Sequence, residues 1–173
     1  MMEKSMKFKL RFPEFELEKW AERNTGDLSA LERIGKSARE RGHLSRQEFL
    51  SICAEKSPRS KPRCASNSTE LIEEVTRIAM SSKLEELHIR SLMMLTGVSW
   101  PTASYILHFC HSSKYPILDF RALWSLSIPK APVYTYEFWG KYVEICRDLA
   151  KRNKLSMRQV DAALWQYSKE RQK

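Results

Sequence analysis

Two runs of apolar residues at helical spacing meet at a single glycine, and this junction limits the possible folds more than any other feature of the chain. Leu84, Leu87, Leu92 and Leu95 form the first run, Ala103, Ile106, Leu107 and Cys110 form the second, and Gly97 lies between them. Apolar positions recurring at this spacing line one face of a helix. Glycine accepts the positive φ that a sharp turn from one helix into the next requires. The pattern predicts an αα-hairpin over residues 84–111. Its turn and the start of its second helix leave backbone N–H groups without intrahelical partners, which is a seat for a phosphate. Gly97, Val98, Ser99, Thr102 and Ala103 are the candidate donors. An αα-hairpin that serves packing alone is the competing reading. Trp100, directly after the turn, suits either packing or a wedge against a sugar or groove.

The rest of the chain also has helical character. Ser45-Arg46-Gln47-Glu48 and Ser156-Met157-Arg158-Gln159 are capping boxes, each followed by apolar residues at helical spacing. Asn24 or Asp27 suits the cap of a helix over 28–41 that stops at Gly42, and Asn67 the cap of one carrying Leu71, Ile72, Val75 and Ile78. Phe138, Tyr142, Ile145 and Leu149 repeat at helical spacing within C-terminal helices expected over 136–170. With only five glycines and little strand-like alternation, the chain is expected to be all-α. Eight to ten short helices would form one compact domain over 1–173, or two small lobes sharing a cleft.

Thirty Lys and Arg stand against 21 Asp and Glu, a net charge of +9, which favours a polyanionic partner. A stretch without acids, expected as a basic loop over 56–67, carries Lys56, Arg59, Lys61 and Arg63. Lys56 and Arg59 are candidate phosphate contacts there, against a simple solvated loop as the alternative. The four cysteines have neither zinc-ribbon spacing nor the clustering of an iron–sulfur site, and the histidines His108 and His111 lack ligand partners at useful spacing. No metal or other cofactor is expected. Met1–Lys9 is charged throughout and no apolar run has membrane length, so no membrane partner and a reducing cytoplasmic setting are expected.

The segment Leu95-Thr96-Gly97-Val98-Ser99-Trp100-Pro101-Thr102-Ala103 resembles the hairpin of the helix-hairpin-helix DNA glycosylase superfamily, the endonuclease III-like group, which runs approximately L-P-G-V-G-x-K-T-A. The family's essential Asp follows the hairpin's first Leu by the same separation as Asp119 follows Leu95. It also follows an apolar pair, like Ile117-Leu118, and opens a short helix, like Phe120–Trp124. Val160–Arg171 is a weaker echo of the family's late helix, and the likeness covers about half the chain. Between the basic segment and the hairpin there is room for two helices, fewer than the family usually has.

The resemblance implies a compact two-lobed fold and Asp119 as the catalytic carboxylate, although an Asp in this position is equally suited to capping a helix. Pro101 stands where bifunctional members carry their lysine, so a monofunctional enzyme is implied; Lys56 is the lysine to test for lyase chemistry. It further implies a monomer acting on double-stranded DNA at the nucleoid, removing either a damaged base in repair or a modified base of foreign phage DNA. Trp100, His108, Arg121 and Trp165 are candidates for the base pocket or wedge. A helix-hairpin-helix module that binds DNA without catalysis is the alternative, favoured by the lost lysine and by Ser99 in place of a second glycine.

Overall fold

The computed structural model describes residues 7–130 and 132–173. Ten α-helices are present among them, and no strand: α1 (Leu17–Glu22), α2 (Ser29–Arg41), α3 (Arg46–Lys56), α4 (Lys61–Ala65), α5 (Thr69–Ser81), α6 (Glu85–Arg90), α7 (Trp100–Cys110), α8 (Phe120–Ser125), α9 (Tyr136–Asn153) and α10 (Met157–Arg171). The all-α expectation holds. None of the helices described is long and apolar enough to cross a membrane. The start of the chain, on which the expectation of a charged, leader-free N-terminus rests, lies largely outside the described residues.

The chain forms two compact units. A central unit spans Gly26–Ile117, and a terminal unit joins the residues up to Thr25 with Leu118–Lys173. The hairpin and the basic segment belong to the first, Asp119 and the C-terminal helices to the second.

In the central unit α2 lies against α7, and glycine makes the approach possible. A Cβ built on Gly35 falls 1.9 Å from the carbonyl oxygen of Phe109, closer than any side chain tolerates. The same carbonyl, near the C-terminus of α7, accepts from Arg39 Nη1 at 2.5 Å, so α2 also supplies the donor that this helix end needs. Around this contact Phe49, Ile52, Ile72, Ile89, Leu92 and Leu107 are fully buried, each contributing about 1.5–3 kcal/mol through removal from water. The Ser45 box forms as expected, with Ser45 Oγ accepting from Glu48 N and Glu48 accepting from Ser45 N. Asp27 takes the N–H of Ser29 at 2.9 Å, although Leu28 occupies the cap position itself.

Two expectations change. The hairpin's first arm is not one helix: α6 ends at Arg90, and a 3-10 turn over Leu92–Met94 precedes the extended Leu95. The cap of α5 is Ser68, whose side chain accepts from Leu71 N; Asn67 is turned inward to a different task.

In the terminal unit α10 is the hub, packed against α1, α8 and α9. Trp139 and Tyr142 fill its core. The N-terminal segment is tied in by its backbone, with Lys9 N donating to Leu126 O and Arg11 N to Ser125 O, both at 2.9 Å. Tyr167 meets Phe12 at 4.5 Å and Trp20 edge-on at 5.0 Å. The Ser156 capping box starts α10.

Candidate nucleic-acid interface

Gly97 has φ +87°, the left-handed conformation expected of the turn. A second constraint acts on it: an added Cβ would lie 2.7 Å from Cys64 Sγ, 2.9 Å from Cys64 N and 3.2 Å from Arg63 Cβ. The turn is therefore pressed onto α4, the helix that carries Lys61 and Arg63. Asn67 clasps the two together. Its Oδ1 accepts from Thr96 N, and its Nδ2 donates to Thr96 O and to Cys64 O, each at 2.9 Å. Arg46 on α3 donates in turn to Ala65 O at 2.6 Å and to Asn67 O. Buried amides and guanidinium groups of this kind fix a backbone more firmly than apolar packing, because every polar atom has a directional partner.

The basic stretch is not the loop expected over 56–67. It is the end of α3, a 3-10 turn over Pro58–Ser60 and then α4, since Pro58 and Pro62 both fall in first turns, where proline's missing N–H costs nothing. Arg59, Lys61 and Arg63 are exposed and make no ion pair among the described residues. Lys56 is half-buried, with Nζ 5.5 Å from the Tyr105 ring of α7. The structure joins the segment of Lys56 and Arg59 to α7 and the turn by contact.

The set of backbone donors is narrower than expected. The N–H of Val98 is used within the turn, on Leu95 O at 3.1 Å, and that of Ala103 on Ser99 O at 2.8 Å. Val98 and Thr102 are both buried, at 8% and 2% exposure, because their side chains anchor the turn and the first coil of α7 in the core. Gly97, the exposed Ser99 and the half-buried Trp100 remain at the surface. Ser99 occupies the N-cap of α7 in extended conformation without a side-chain cap bond, so the helix start is left uncapped.

Asp119 caps α8 in the terminal unit. Its Oδ1 accepts from Arg121 N at 2.8 Å and from Ala122 N at 3.2 Å, and the residue is half-exposed. Burial raises the phenols of Tyr134 and Tyr142, and the negative charge of Asp119 adds to both shifts. Asp161 on α10, buried and bonded to Arg158 Nη1 at 3.1 Å, acts on Tyr142 in the same direction. Arg121 and Trp165, two of the proposed pocket residues, are adjacent in this unit: the guanidinium lies 5.6 Å from the indole ring.

His108 belongs to the central unit, where Nδ1 bonds the Tyr115 carbonyl at 2.7 Å, a structural role. Beside it runs a network invisible in the sequence: His88 Nδ1 and Tyr115 Oη share a hydrogen bond at 2.7 Å, and Tyr115 Oη bonds Glu85 at 2.8 Å, which pins the chain leaving α7 onto α6. All four cysteines are buried free thiols. Burial pushes the Cys110 thiol up to about 12, which makes it inert at neutral pH. Among the described residues no three His, Cys, Asp or Glu side chains gather as a metal site. No family model, curated protein or solved structure matches the chain.

Proposed function

We propose that the protein is a monofunctional DNA glycosylase that hydrolyses the N-glycosidic bond of a damaged or modified base and leaves an abasic site. The observation that carries the reading is the docking of the Gly97 turn onto the basic helix α4. It gathers an uncapped helix start and the unpaired Arg59, Lys61 and Arg63 in one unit, as a duplex phosphate requires.

In this reading the turn grips the phosphate backbone of the duplex, and the target nucleotide leaves the stack. As the base departs, positive charge develops on the sugar, and the carboxylate of Asp119 stabilises it and orients the attacking water. Water oxygen bonds to C1′ as the C1′–N bond breaks, and the base leaves with a proton. The Asp119 cap bonds hold one carboxylate oxygen in place, so capping and catalysis are compatible in one side chain. Pro101 cannot form a Schiff base, which leaves hydrolysis as the reaction. The enzyme acts as a monomer on double-stranded DNA in the cytoplasm, on a repair lesion or on a modified base of phage DNA.

The test is base release from lesion-bearing and modified duplexes, read by mass spectrometry of the freed base and alkaline cleavage of the strand. Wild type releases a base, and Asp119→Asn releases it about 10²–10³-fold more slowly with unchanged duplex affinity. A second reading, a DNA-binding module without catalysis, is favoured by the fact that Asp119 already has a structural task at α8. Equal, salt-sensitive duplex binding by both proteins with no release across the panel would establish that module instead.

A further inference from the structure

We propose that the terminal unit carries a stacking surface for unpaired nucleotides, built from Phe120, Arg121, Trp165 and Lys169. Phe120, at the start of α8, is 60% exposed and offers its ring to solvent. The Arg121 guanidinium lies 5.2 Å from the Phe120 ring and 5.6 Å from that of Trp165, and Lys169 Nζ lies 5.0 Å from the Trp165 ring. Trp165 and Lys169 are four residues apart on α10 and share a face. The order along the surface is therefore ring, cation, ring, cation.

Four other cations of the unit are taken up by acids. Arg23 is engaged by Glu170, Arg152 by Glu14, Arg158 by Asp161 and Lys141 by Glu137. Arg121 and Lys169 meet aromatic rings, as Arg11 does over Trp124 and Arg171 over Trp20, and make no ion pair among the described residues; of these rings Phe120 is the exposed one. Positive charge held over half-exposed rings needs a partner with flat apolar faces and negative charge at short, regular intervals. A single-stranded nucleic acid is such a partner: its bases stack on Phe120 and Trp165 and its phosphates meet Arg121 and Lys169. A duplex hides the faces of its bases, and an acidic peptide has no use for the rings. The inference rests on the nucleic-acid partner proposed above but not on catalysis by Asp119.

The experiment measures fluorescence anisotropy of a labelled single strand with the full chain. Its arms are a strand of the same length in which abasic residues replace the nucleotides, the matching duplex, and the same sequence as RNA. Wild type binds the base-bearing strand about tenfold more tightly than the abasic one. Phe120→Ala removes that difference and leaves the abasic affinity unchanged, while Lys169→Gln weakens both strands and flattens their salt dependence. Whichever of the DNA and RNA strands binds more tightly names the polymer. Thermal melting of each variant checks that the exposed substitutions leave the fold intact. Equal affinity of wild type for base-bearing and abasic strands, no binding of single strands, or Phe120→Ala binding like wild type would overturn the proposal. A protein that discriminates the strands but releases no base keeps this surface and loses the glycosylase reading. One that releases base yet ignores the base content of a single strand does the reverse.

Discussion

At two places the central unit brings backbone against backbone within its apolar core, whereas the terminal unit packs through large aromatic side chains. Gly35 admits the Phe109 carbonyl and Gly97 admits Cys64, and in both places a methyl group would collide with main-chain atoms. The helical glycine of the terminal unit, Gly140, has nothing within 4 Å of where its Cβ would stand. There, Phe12, Trp20, Trp139, Tyr142 and Tyr167 do the packing. Contacts between backbones fix a turn rigidly and suit a surface whose working groups are N–H donors. Contacts between rings leave edges and faces at the surface and suit a site that works by stacking.

The two helical glycines provide the sharpest way to break this contrast. Gly35→Ala should destabilise the protein by upwards of about 3 kcal/mol, since the clash is with backbone and α2 must leave α7. Gly140→Ala should stabilise it by about 0.5–1 kcal/mol, because only the helix propensity changes. Urea unfolding of both variants measures the difference. Similar effects at the two positions would mean that the units are built alike.

Gly97→Ala comes next and joins the contrast to function. Positive φ and the approach of Cys64 N together predict a loss of about 2 kcal/mol. The turn must lift from α4, so duplex affinity should fall even where the variant remains folded at low temperature. Anisotropy with a labelled duplex reads this directly. A variant that is destabilised but binds duplex as tightly as wild type would separate the turn from the proposed DNA surface.

How much of this was legible in the sequence follows from the same physics. The turn at Gly97, both serine capping boxes and the helical character of the chain are local properties, set by residues within a few positions of one another. Asp119 as a cap was legible for the same reason. The clasp by Asn67 was not, because a side chain that looks like a helix cap is instead claimed by Thr96, twenty-nine positions away. Nor was the burial of Val98 and Thr102, which depends on how α7 seats in its unit. The helical course of the basic stretch was hidden by its two prolines, which suggest a loop unless each is recognised as an acceptable first-turn residue. The rings of Phe120 and Trp165 and the charge of Arg121 were visible, but their adjacency arises only from the packing of α8 on α10.

A smaller effect sharpens the division of labour. Arg59→Gln removes one unpaired cation from the central unit and should reduce the salt dependence of duplex binding by a slope of about 1, with little change in stability. Titrations of duplex at several salt concentrations measure the slope. An unchanged slope would leave Arg59 as a solvated residue and move the proposed DNA surface towards Lys61 and Arg63.

The smallest effect concerns the pH dependence of the central unit. Glu48 accepts both Nη groups of Arg41, at 2.7 and 2.9 Å, and also the N–H of Ser45 at 2.8 Å. The Arg41 guanidinium first, and then the Ser45 backbone, hold its carboxyl below the usual range despite partial burial. A carboxyl depressed in the folded state contributes stability that is fully present above the unfolded value and is lost as pH falls through the folded one. Glu48→Gln should therefore lower stability by about 1 kcal/mol at neutral pH. The gap to wild type should close in acid, where both proteins carry a neutral side chain on α3. Urea midpoints across the acid range measure it, and a gap that persists once Glu48 is protonated would assign the effect to amide geometry in the capping box rather than to charge.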